Sequence, residues 1–121
     1  MVTIGYMEGT DPALLTKLAA AGVETTPISN TADNHGKFIA NLSPSDGIDA
    51  IIGYFHKFVP AKESNLTAAD LIKPCIENGI KVFVIARKND HPIVAKALGG
   101  VVSSVTLLTR RETEKTILGL L

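Results

Sequence analysis

The chain reads as an α/β protein of three layers, with an open parallel sheet of five strands between two layers of helices. Three observations predict this. Short apolar stretches of strand length alternate with stretches of helical period along all 121 residues. No Ser/Gly-rich linker, low-complexity tract or internal repeat interrupts the alternation, so a single domain over residues 1 to 121 is expected. One segment, IDAIIGYF at residues 48 to 55, is nearly continuous in apolar character, as a strand covered on both faces of a parallel sheet should be.

The elements follow in order. VTIGY at 2 to 6 is the first strand, and Asp11 followed by Pro12 supplies an N-cap and N1 pair for a helix that presents Leu14, Leu15 and Leu18 and ends at Gly22. VETTPIS at 23 to 29 is a more polar second strand whose Pro27 predicts an edge position. A short helix over residues 37 to 42 is expected to bury Phe38, Ile39 and Leu42. The third strand is 48 to 55. Thr67 with Asp70 resembles a capping box that opens a helix burying Leu71, Ile72, Cys75 and Ile76, with a kink expected at Pro74 and closure at Asn78-Gly79. KVFVIA at 81 to 86 is the fourth strand. Asp90, His91 and Pro92 start a helix that is expected to bury Ile93, Val94, Ala97 and Leu98 and ends at Gly99-Gly100. VVSSVTLL at 101 to 108 is the fifth strand, and Thr109 with Glu112 caps a last helix running into ILGLL.

Five strands in strict alternation with helices fit the flavodoxin-like order 2-1-3-4-5 with right-handed crossovers. The polar second strand at an edge agrees with that order. A six-strand Rossmann order is not expected, because the chain is short for two mononucleotide halves.

Composition narrows the function. Twelve basic and twelve acidic residues balance, and no long run of one sign appears, so the electrostatic footprint of a nucleic-acid binder is missing. The one local basic pair, Arg110-Arg111, is followed by Glu112 and Glu114 and reads as a solvated helix start. No stretch approaches the length of apolar chain needed to span a bilayer, and Met1 leads straight into a strand without the parts of a secretory signal, so a cytoplasmic location and no membrane partner are expected. The one cysteine, Cys75, lies on an apolar helix face and is expected to pack. Positive hydropathy and the apolar C-terminus predict a homo-oligomer.

A site belongs outside the carboxyl ends of the strands, where the winding reverses and the loops diverge. For the order 2-1-3-4-5 that crevice lies between strands one and three, walled by residues 6 to 12 and by the long loop 55 to 66. The same edge collects Glu8, Asp11, Asp33, His35, His56, Lys57, Arg87, Lys88, Asp90 and His91, including all three histidines of the chain. His56 paired with Asp11 or Glu8 could act as a general acid or base. Gly9, Thr10 and the helix start at Asp11 could hold an anion, although Glu8 and Asp11 would repel one. Tyr54 and its aromatic neighbours could stack on a flat ligand or could cover the end of the sheet. No two histidines share a metal-ligand spacing, so no metal site is assigned, and no motif specifies a cofactor.

In length and alternation the chain resembles a response-regulator receiver, but Tyr54-Phe55-His56 stand where that family carries its phosphoacceptor aspartate. Thr67, Ala68 and Asp70 ahead of Gly79-Ile80-Lys81 are similar to the nucleoside deoxyribosyltransferase group, in which a TA-x-E helix start follows the third strand. That resemblance spans residues 67 to 81 and implies glycosidic chemistry on nucleotides. Asp70 stands in place of the family's nucleophilic glutamate, and the glycine is displaced by one.

These observations give two expectations. The first is a small domain binding a small polar or nucleotide-like molecule at the C-terminal edge of the sheet, with His56 and Asp11 as catalytic candidates. Glu8, Gly9, Thr10, Asp33, His35, Tyr54, Lys57, Arg87, Asp90 and His91 are its ligand-binding candidates. The second is a non-catalytic regulatory or interaction module acting as an oligomer or accessory subunit.

Overall fold

The computed structural model describes residues 2–30, 36–60, 63 and 65–119. Its core is one all-parallel sheet of six strands: β1 (Thr3–Met7), β2 (Glu24–Ser29), β3 (Lys37–Phe38), β4 (Ala50–Tyr54), β5 (Lys81–Ile85) and β6 (Thr106–Leu108). The helices are α1 (Pro12–Ala20), α2 (Ala68–Glu77), α3 (His91–Leu98) and α4 (Arg110–Leu118). The strand order is β3-β2-β1-β4-β5-β6, so the expected five strands and the order 2-1-3-4-5 are corrected to six in the order 3-2-1-4-5-6. This is the six-strand order that the chain's length argues against, and the architecture is compatible with a Rossmann-like or flavodoxin-like fold.

The difference arises at residues 37 to 42, where the sequence predicts a helix. Lys37 and Phe38 instead pair with Ile28 and Ser29, and only Ile39–Asn41 turn, as a 3-10 helix. The apolar residues of this segment suit either conformation, since two of the three, Ile39 and Leu42, are buried in both readings. The added strand covers β2, which is therefore not the edge. Pro27 is tolerated because pairing with β3 begins one residue later, at Ile28.

A second correction lies before β6. Gly99–Ser104 form a 3-10 helix, and the strand keeps only Thr106–Leu108 of the expected eight residues. The reversal at Gly99, with φ of +59°, and the half-buried Val101, Val102 and Val105 explain it: these valines pack onto a helix-covered core rather than into the sheet.

The strands alternate their side chains between two apolar layers, as the period of two demands. Ala50 and Ile52 of β4, with Phe83 and Ile85 of β5, face Leu14 and Leu18 of α1 and Ile117 of α4. On the opposite face Ile51, Val82 and Val84 meet Leu71, Ile72 and Cys75 of α2 and Val94 and Leu98 of α3, whereas Ile93 and Ala97, expected inside, are exposed. Helices α2 and α4 begin with full capping boxes, Thr67 with Asp70 and Thr109 with Glu112. The Asp70 carboxylate accepts the Thr67 amide at 2.8 Å, which holds its pKa below the ordinary carboxylate value. Helix α2 runs through Pro74 without interruption. Among the described residues no helix is long and apolar enough to cross a membrane.

Candidate functional site

Because every strand is parallel, the turns after β1, β4 and β5 all emerge at one edge. The winding reverses between β1 and β4, and there the two expected walls meet. Gly9 takes φ of +85°, a conformation that closes the turn after β1, and a Cβ at this position would lie 3.6 Å from Lys57 Cε. Thr10 is buried and its hydroxyl donates to the Met7 carbonyl at 2.7 Å, so this side chain serves the turn. The start of the long loop does not hang free: Phe55–Phe58 form a 3-10 helix that drives Phe58 fully into the core. Asn30, 2 % exposed at the end of β2, anchors it by donating from Nδ2 to the carbonyls of Lys57 at 2.7 Å and Val59 at 3.3 Å. The depressions at this edge therefore open beside the β1–β4 junction.

The first is a groove of about 360 Å³ at the ends of β4 and β5, lined by Tyr54, Phe55, His56, Arg87, Asp90, Ile93 and their neighbours. The exposed His56 ring stacks against Tyr54, with centroids 6.1 Å apart and planes inclined by 30°. Arg87 Nε donates to the Asp90 carboxylate at 3.0 Å across the 3-10 turn that leads into α3. Four candidates that lie up to 36 residues apart in the chain, Tyr54, His56, Arg87 and Asp90, are thus brought around one opening.

A second cavity, of about 420 Å³, lies between α1 and α4, with Leu14, Tyr54 and Ile85 among its lining residues. Asp11 belongs here. Its backbone occupies the N-cap position of α1, but its side chain makes no cap and instead accepts from Arg110 Nε at 2.8 Å. The carboxylate in turn holds the Arg110 guanidinium above its ordinary pKa. No hydrogen bond joins Asp11 to His56 among the described residues; Tyr54 and Ile85 line both cavities.

The remaining candidates disperse. Glu8 and Gly9 line a third depression, of about 340 Å³, beside Pro27 and Gly36. His91 lines a further depression with Lys88 and Glu112. Its Nε2 lies 3.0 Å from the Ala86 carbonyl and 3.2 Å from that of Leu108, so the ring carries its proton on Nε2 and ties the ends of β5 and β6 together. Asp33 and His35 lie outside the described residues. Among the described residues no three of His, Cys, Asp and Glu converge as a metal site would require. Cys75 is fully buried, and burial pushes its thiol up to about 12, which removes the thiolate a nucleophile needs.

Sequence reasoning missed two residues that shape this edge. Asn30 has no motif around it, and Arg110 reaches Asp11 across 99 positions, so neither contact has a local signal. An asparagine just past a strand is the one hint the chain offers. No known protein family matches the chain, and no curated protein matches it significantly.

Proposed function

We propose that the protein binds a small polar or nucleotide-like molecule in the groove at the ends of β4 and β5, with His56 as general acid or base toward it. The observation that carries this reading is the stacked pair of Tyr54 and His56 in a groove that Arg87 and Asp90 also line. Aromatic faces take a planar base or ring, the guanidinium takes an anionic oxygen, and the carboxylate accepts from an amine or hydroxyl. An imidazole serves as donor or acceptor of a proton near neutral pH, and exposure leaves His56 accessible to a bound molecule. The carboxylate partner would be Asp90, which lines the same groove, rather than Asp11.

A melting-temperature screen against nucleosides, nucleotides and sugar phosphates tests this on wild type, Tyr54→Ala and His56→Ala. A molecule present at 100 times its Kd stabilises the folded state by about 2.7 kcal/mol. The expected result is a rise in wild type that is lost in Tyr54→Ala. No rise with any compound, or an equal rise in all three proteins, overturns the proposal.

One observation favours a second reading, that of an interaction module working as a cytoplasmic homo-oligomer. Ile93, 67 % exposed on the first turn of α3, stands beside the same groove. Light scattering of wild type and Ile93→Asp separates the two: an oligomer that the substitution dissociates supports the module, and a monomer in both removes it.

A further inference from the structure

The cavity between α1 and α4 lies beside a different group of charges from the His56 groove, and none of Lys17, Arg110, Arg111 or Glu114 takes part in the proposed function. Its apolar lining includes Leu14 from α1, Ile85 from β5 and Tyr54, which packs against the same core cluster. Its rim is charged: Lys17, Arg110 and Arg111 face two carboxylates, Asp11 and Glu114, leaving one positive charge in surplus.

The two carboxylates are both taken. Asp11 accepts from Arg110 at 2.8 Å and Glu114 accepts from Lys17 Nζ at 2.9 Å, two bridges that join α1 to α4. Glu112, next to Arg111, accepts from both the amide and the hydroxyl of Thr109 in the helix cap. Thr113 is buried, and its hydroxyl donates to the Thr109 carbonyl at 2.9 Å. Arg111 is the remaining cation on the rim, and it makes no ion pair among the described residues. Its planar fork matches a carboxylate in two parallel hydrogen bonds. The volume, about 420 Å³, is within the range of small-molecule sites.

We propose that the α1–α4 cavity is a second binding site, for a small monoanion that carries a carboxylate on an apolar body. Arg111 takes the carboxylate, and the body lies on Leu14, Ile85 and the Tyr54 ring. A second negative charge would meet Asp11 and Glu114, which sets the preference for a monoanion over a dianion. Arg111 does not line the His56 groove, so this site stands or falls separately from the proposed function.

The test is an NMR titration with 4-phenylbutyrate, and with its uncharged amide, on wild type, Arg111→Gln and His56→Ala. Arg111 is exposed and caps nothing, so its substitution leaves the fold in place. The expected result is saturable shifts at Leu14, Ile85 and Tyr54 with the acid, affinity about tenfold weaker for the amide and for Arg111→Gln, and no change for His56→Ala. Absence of saturable shifts at these residues overturns the proposal. So does equal affinity for acid and amide, or an Arg111→Gln protein that binds as wild type does.

Discussion

Asn30→Ala removes a buried side chain that donates to the turn carrying His56. In the wild type its amide donates to Lys57 O at 2.7 Å and to Val59 O at 3.3 Å from a position only 2 % exposed. The first is a full-strength bond and the second lies at the long end of the range. Each contributes roughly 0.5–1.5 kcal/mol net, so the substitution should cost about 1–3 kcal/mol. For a chain of this length that corresponds to a fall in Tm of roughly 3–5 °C per kcal/mol. Urea unfolding measures it, with an unchanged m-value showing that the native fold is retained. Amide exchange should locate it: protection over residues 55 to 59 falls, while that of β4 and β5 changes only by the global loss. A loss below about 0.5 kcal/mol, or uniform exchange across the chain, would refute the claim that Asn30 fixes this turn.

Other substitutions and conditions probe the same framework. A Cβ on Gly53 would sit 2.5 Å from Met7 Cγ and 2.6 Å from Met7 Cβ, so Gly53→Ala should overpack the β1–β4 junction and cost about 1–3 kcal/mol by urea unfolding. With its thiol near 12, Cys75 should not react with iodoacetamide at pH 8 in the native protein and should react fully in urea. Asp46, Asp70 and Glu112 have lowered pKa values, from the Lys37 pair with Asp46 and from the capping hydrogen bonds of Thr67 and Thr109. A depressed carboxylate stabilises the fold above its unfolded pKa and loses that contribution as pH falls through its folded one. Urea unfolding should therefore show this contribution intact above about pH 5 and declining below about pH 4, with a shallower decline in Asp46→Asn.

The fold is legible where patterns are local. The apolar run of β4, the capping boxes at Thr67 and Thr109, and the glycine after α1 all mark their elements within a few residues. Residues 37 to 42 and 99 to 105 mislead because short apolar segments satisfy several conformations. Pairing with β2 settles the first and packing of Val101, Val102 and Val105 the second, and neither outcome has a signal inside its own segment. At the site, topology alone brings His56, Arg87 and Asp90 to one edge, since a parallel sheet sends every strand's exit there. What it does not supply is which depression each residue enters. Asp11 turns to Arg110 and His91 to two backbone carbonyls, contacts that depend on α4 and on the end of β6.

The most direct test follows the His56 and His91 imidazole resonances while a mixture of nucleosides and nucleotides is added. Binding in the Tyr54–His56 groove predicts a saturable change at His56, with little at His91, whose ring nitrogen is held by Ala86 and Leu108. A His56 signal that stays unmoved at millimolar concentrations of every component would contradict the account.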